Sequence, residues 1–227
     1  MSASGSDAAL ETISHRVTTG LLKIGLASKS RAWQEGSAQG LTPTQGQILA
    51  LLHLQQGMRL SEVATALAVR PATASDAVQS LVHKGLVQKT RAPEDARAVR
   101  LTLTAAGQRE AERVAAWSDF LLAAVDTLTP AEQAALLRGL VKMIRTLQIR
   151  GQIPVSRMCV TCHFFRPYVY LDPLRPHHCA FVEASFGDEQ LRLDCPDHQA
   201  ASAAEAQRLW EAFVHGSEGA GTEENRG

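Results

Sequence analysis

The feature that most constrains this chain is a change of hydrophobic period at Gly85. Upstream, apolar residues recur at three- and four-residue spacing, as in helices that bury one face. Ser61 can cap a short helix through Leu67, Arg70-Pro71 interrupts the pattern, and a further helix is predicted from Pro71 to Lys84, with Gly85 as its stop. Downstream the period falls to two. Leu86-Val87-Gln88-Lys89 and Val99-Arg100-Leu101-Thr102-Leu103 flank the polar stretch 92–97, which predicts a two-stranded hairpin with a charged loop.

Further helices surround this unit. A helix is predicted over 7–35, ending near Gly36 to Gly40, with Leu10, Ile13, Val17, Leu21, Ile24 and Leu26 as apolar positions. In Thr42-Pro43-Thr44-Gln45 the hydroxyl can accept the third amide, Pro43 suits the first turn, and Gln45 can reach back, so a second helix starts at Pro43 and ends at Gln56-Gly57. A long helix is expected from Thr104 to about Leu128, and a second Thr-Pro-x-Glu box at 129–132 opens another that Gly151 and Pro154 close. Across 155–198 the residues Pro167, Pro173, Pro176 and Pro196 rule out long helices, leaving short extended pieces that need a staple. Residues 201–214 can form one last short helix, and 216–227 read as a disordered polar tail. The fold class is mainly α, with an α+β winged helix.

Two short helices joined by a tight turn and followed by a hairpin form a winged helix-turn-helix, whose second helix enters the major groove of DNA. Candidate base- and backbone-contacting residues are Arg70, Thr73, Ser75, Asp76 and Gln79 on or beside that helix, with Lys89 on the hairpin. The chain carries no net charge, yet between Arg59 and Thr104 seven basic residues (Arg59, Arg70, Lys84, Lys89, Arg91, Arg97, Arg100) face four acidic ones (Glu62, Asp76, Glu94, Asp95).

The motifs of this stretch resemble the MarR family. They are Leu41-Thr42-Pro43-Thr44-Gln45, Leu60-Ser61-Glu62-Val63-Ala64, Pro71-Ala72-Thr73-Ala74-Ser75, Leu81-Val82-His83-Lys84-Gly85-Leu86-Val87, the wing Pro93 to Val99, and Leu103-Thr104-Ala105-Ala106-Gly107. The likeness keeps order and spacing over about residues 8–150. It implies a homodimer in which the first helix and the two helices after the wing interlock, while two winged heads read the half-sites of a double-stranded DNA palindrome. It also implies that Arg97 reaches into the minor groove and that Asp95 orients it. Many relatives have Ser where Arg70 stands and Arg where Asp76 stands; an acidic Asp76 attracts phosphate less and can accept from cytosine. A small-molecule effector in the crevice between head and dimer helices is the input that the resemblance implies. The expected organisation is a dimerisation helix (1–40), the DNA-binding domain (41–104), dimerisation helices (105–150), a Cys/His-rich module (151–200), and a short helix with a tail (201–227).

All four cysteines lie between Cys159 and Cys195, as Cys159-x2-Cys162, then Cys179, then Cys195, with His163, His177, His178 and His198 nearby. Two thiolates two residues apart on a turn can chelate one ion, and two more from distant loops complete a tetrahedron. The expected centre is zinc or an iron–sulfur cluster, the histidines favouring zinc and His198 being the best histidine ligand. His163 and His177 are expected at the surface.

Composition excludes some classes. The longest apolar stretches, such as Ile48 to Leu54, fall far short of the roughly 20 residues that span a bilayer. The polar start lacks a secretory signal, so a cytoplasmic location is expected. No nucleophile with a paired base stands out, so an enzyme is not expected. Two functions remain: a DNA-binding regulator whose metal or cluster module braces it or senses redox or metal state, and a metal- or electron-carrying adaptor whose winged helix docks protein.

Overall fold

The computed structural model describes residues 12–55, 57–92 and 95–219, apart from the side chains of residues 92, 95–98 and 217–219. The start of the first predicted helix and most of the polar tail therefore lie outside the described residues. The helices are α1 (Ile13–Ala38), α2 (Pro43–Gln55), α3 (Leu60–Ala66), α4 (Pro71–His83), α5 (Ala105–Ala115), α6 (Asp119–Val125), α7 (Pro130–Ile149) and α8 (Ala203–Gly219). A hairpin of β1 (Val87–Ala92) and β2 (Asp95–Leu103) follows α4, and a three-stranded antiparallel sheet of β3 (Phe165–Arg166), β4 (His177–Cys179) and β5 (Ala184–Phe186) follows α7.

Two compact units emerge. The first comprises the residues up to Arg59 together with Ser75–Phe120, and the second comprises Leu60–Ala74 together with the residues from Leu121 onward. In the first, α2 is the central helix, buried through Ile48, Leu49 and Leu52. Its start forms as the sequence predicts: the Thr42 amide donates to Gln45 Oε1 and the Gln45 amide to Thr42 Oγ1, both at 3.2 Å. The hairpin is in register from Val87 opposite Leu103 to Arg91 opposite Val99, and an isolated bridge pairs Met58 with Leu101 on its other side.

The junction between wing and α5 explains one of the sequence motifs. Thr104 caps α5 by accepting the Gly107 amide (3.0 Å), while its hydroxyl donates to the Gly85 carbonyl (2.7 Å). That clamp brings α5 so close to the chain at Leu86 that a Cβ on Gly107 would collide with the Leu86 backbone carbonyl. Backbone cannot swing aside as a side chain can, so Gly107→Ala should destabilise the first unit by about 1–3 kcal/mol, read as a lower urea midpoint at unchanged slope.

The long helix expected over 104–128 is in fact broken. A 3-10 turn at Ala116–Ser118 separates α5 from α6 and turns the Trp117 ring onto Gly36 and Gly46, whose lack of side chains makes the room. α3 starts at Leu60, two residues before the start that a Ser61 cap implies, which leaves Ser61 inside the first turn, and α8 runs on to Gly219, past the expected end at 214.

In the second unit, Thr129 and Glu132 form the full reciprocal box that opens α7. Val141 of α7 joins Met158, Val160, Phe165, Phe186, Leu191 and Phe213 in one core. Leu137 and Ile144 pack on it from the same side of α7, and the Gln148 side chain donates to Ser156 Oγ (2.9 Å). The proline-rich segment is thus anchored to a long helix at one end and to α8, through Phe213 and Trp210, at the other.

Candidate nucleic-acid interface and cysteine cavity

α4 separates its faces cleanly. Ala74, Val78 and Leu81 are buried, whereas Thr73, Asp76, Gln79 and His83 are exposed at spacings of three, three and four, which places them along one side of the helix. Ser75 is half-buried between the faces. Pro71 fills the first helical position and Arg70 stands exposed just before it. The tight turn out of α3 uses Ala68 with φ of 52°, a conformation that costs a residue with a Cβ roughly 1–2 kcal/mol. The Val69 amide holds that turn by donating to the Ala64 carbonyl (3.0 Å). Lys89 is exposed on β1 opposite Leu101. Asp95 and Arg97 lie on β2, but their side chains fall outside the described residues.

Some of the local positive charge has internal work. The Lys84 ammonium donates to the Gly40 carbonyl and to Gln45 Oε1, tying the end of α4 to the start of α2. Gln45 in turn donates to Ser80 Oγ at 3.0 Å. Arg100 donates to the Gly57 carbonyl (3.0 Å) at the base of the wing. These two cations therefore fix the posture of α4 and the hairpin, whereas Arg70 and Lys89 are exposed.

In the second unit, Cys159, Cys162, Cys179 and Cys195 all line one cavity of about 200 Å³. Its walls are largely apolar, with Phe164 and Phe181 in contact at a ring separation of 5.3 Å. Each cysteine backbone is fixed separately. Cys159 lies in a 3-10 turn, its amide bonded to the Arg192 carbonyl (3.1 Å); the Cys162 amide bonds back to Cys159 (2.9 Å); Cys179 pairs with Phe165 and Ala184; and the Cys195 amide bonds to Arg157 (2.8 Å). Burial pushes the Cys159 thiol up to about 11, a rise that the Arg192 amide opposes and that the other three cysteines reinforce. Arg192 faces two of the sulfurs: its amide donates to Cys159 Sγ (3.3 Å) and its guanidinium to Cys195 Sγ (3.9 Å). Among the described residues, no group of three or more His, Cys, Asp or Glu side chains converges closely enough to hold a single ion.

The four histidines do not line this cavity. His198 Nε2 lies 3.0 Å from Thr161 Oγ1, His163 Nδ1 is 3.0 Å from Glu205, and His178 lies 3.0 Å from the Tyr170 hydroxyl. His177, expected at the surface, is fully buried against Phe165, Tyr168, Phe186 and Phe213.

Residues 41–99 match the sequence profile of the MarR family. These residues are therefore similar to the MarR family. The HTH-type transcriptional repressor MdtR of Bacillus subtilis (strain 168) is 32% identical over 85 residues, which are 37% of this chain and 55% of that protein. The chain thus spans about half the length of the curated relative it matches. Among solved structures, the S. aureus MepR-DNA complex is similar at 24% identity and a TM-score of 0.50, over 58% of this chain and 97% of that one. YusO of Bacillus subtilis is similar at 24% identity and a TM-score of 0.45, over 59% and 95%. The MepR likeness shows the winged-helix fold. The MarR profile match ends before the first cysteine, so the thiol-lined cavity belongs to chain beyond the MarR segment. No described helix is long and apolar enough to cross a membrane.

Sequence reasoning about this MarR-like chain missed one polar cluster in the second unit. His177 Nδ1 accepts the Tyr168 amide (3.3 Å), which leaves Nε2 to donate to Asp188 Oδ1 (3.0 Å), and Arg138 of α7 donates to the other carboxylate oxygen (3.3 Å). The adjacent His177-His178 pair was the available signal, but only the fold shows which ring turns inward. Burial alone would raise Asp188, yet the bond from His177 and the charge of Arg138 prevail and hold its carboxyl below the ordinary 3.8. A depressed carboxyl contributes stability that is complete above the unfolded value and is lost as the pH falls through the folded one. The stability advantage of the wild type over Asp188→Asn should therefore be constant near neutrality and shrink once the pH drops below about 3.8, as followed by urea midpoints.

Proposed function

We propose that this chain is a DNA-binding transcription regulator of the MarR type that grips a palindromic duplex as a homodimer, and that its C-terminal module holds a metal centre on Cys159, Cys162, Cys179 and Cys195. The observation that carries the DNA reading is the outward row Thr73, Asp76 and Gln79 on a helix whose opposite face is buried, next to an exposed hairpin, inside a MarR-family match. Such a row is what a helix needs to meet base edges in the major groove. Arg70 and Lys89 then serve as phosphate contacts, Ser75 sits at the edge of the reading face, and Arg97 with Asp95 at the wing tip enters the minor groove. A regulator similar in fold, MepR, has been crystallised with DNA.

Dimerisation has its own support. Val17, Leu22, Ile24, Leu26 and Trp33 leave α1 with exposed apolar side chains that a lone chain does not cover. The reading assigns no enzymatic step, and it leaves room for a small-molecule effector.

The test is duplex binding by the full chain as salt is varied. A nucleic-acid interface releases counterions, so affinity should fall steeply with ionic strength; flat or absent binding would support an adaptor that docks protein instead. Arg97→Ala should weaken binding by about 1–3 kcal/mol while light scattering still reports a dimer. Unchanged affinity would remove the wing from the interface.

A further inference from the structure

We infer that the cysteine cavity is the seat of a four-iron iron–sulfur cluster rather than of one zinc ion, and that Arg192 is the residue that tunes it. This rests on the proposal that the four cysteines hold a metal centre at all.

Size decides between the candidates. A closed zinc site draws four sulfurs to about 2.3 Å from one point, hence to about 4 Å from each other. The four thiols here surround a space of about 200 Å³ and do not converge on a point. That volume is more than ten times the roughly 10–15 Å³ that admits a single water. The backbones of Cys159, Cys179 and Cys195 are held in three different strands and turns, so contraction onto one ion has only side-chain rotation to draw on. A cluster needs no contraction, because each corner iron takes one thiolate and bridging sulfides fill the middle.

The wall chemistry agrees. No histidine lines the cavity, and phenyl rings such as Phe164, Phe181 and Phe186 make its wall largely apolar. Zinc is at home with mixed nitrogen and sulfur donors, whereas a cluster bound by four cysteines in an apolar setting has its potential set by exposure and by hydrogen bonds to sulfur. Arg192 supplies both a backbone and a guanidinium donor, to Cys159 and Cys195 respectively. Transfer of a preassembled cluster from a thiolate donor breaks the donor's four Fe–S(thiolate) bonds and this chain's four S–H bonds, forms four Fe–S bonds here, and passes the four protons through solvent to the released donor thiolates with no change of oxidation state.

The test uses the full chain purified without oxygen from iron-supplied cells. Native mass spectrometry should show a holo chain heavier by about four irons and four sulfides, with visible absorption and thiols closed to alkylation. A holo mass of one zinc ion, or of any smaller cluster, overturns the assignment but leaves the metal-module reading standing. A metal-free chain with four alkylatable thiols overturns both. Cys179→Ser should lose the cluster, and because that variant can also unfold the module, Arg192→Gln supplies a second arm. It should keep the cluster mass and show a lower midpoint potential, since a positive charge beside the more negative reduced centre is gone. An unchanged potential removes Arg192 from the proposal.

Discussion

Replacing Phe213 with alanine should open the C-terminal module. The Phe213 ring is fully buried and meets Phe165, His177, Tyr168 and Trp210 at centroid separations between 5.8 and 6.2 Å, so it joins α8 to the small sheet. Truncation of a phenyl group in such a position costs about 3–5 kcal/mol. That is comparable with the whole stability of a small domain, roughly 5–15 kcal/mol. The expected readout is rapid proteolysis within 155–198 together with loss of the corresponding thermal transition. Phe213→Leu, which keeps most of the volume, should lose much less. Equal protease resistance in the alanine variant would show that α8 is not what holds the module closed.

The contrast between the two units shows what a sequence can reveal. Helix starts were legible because they depend on neighbours within four residues: the boxes at Thr42 and Thr129 form as read, and Gly85 ends α4 with φ of 68°. The amphipathic split of α4 was legible for the same reason. The break at Ala116–Ser118 was not, since no Gly or Pro marks it; it exists because Trp117 finds the bare backbone of Gly36 and Gly46, roughly 70 to 80 positions away in the chain. The cysteine spacing pointed to a shared site, and the structure gathers the four thiols around one cavity. Proximity in sequence misled the choice of donors, however. His198, the expected histidine ligand, turns to Thr161 instead, because ring direction is set by partners far along the sequence.

A paired substitution, Leu22→Asp with Leu26→Asp, should give a monomer. The two leucines are 64% and 68% exposed and one helical turn apart on α1, so carboxylates there leave the isolated chain intact while making a dimer bury two charges from each chain. Under the proposed palindrome reading a monomer meets only one half-site, and losing the second contact should lower duplex affinity by roughly 10²–10⁴-fold with no change in α4 itself. Light scattering and a binding titration on the same sample check both parts. A dimer that persists with full affinity would place the interface elsewhere and overturn the arrangement proposed for α1.

α7 has two flanks with different attachments. Leu137, Val141 and Ile144 press on the core that carries Cys162 and borders Cys159 and Cys179, whereas Leu136 and Met143, each 41% exposed, point away from it. One rigid rod is thereby shared between the chamber that holds the thiols and a surface open to a second molecule. None of these α7 side chains lines the chamber, so the rod meets it only through the shared core.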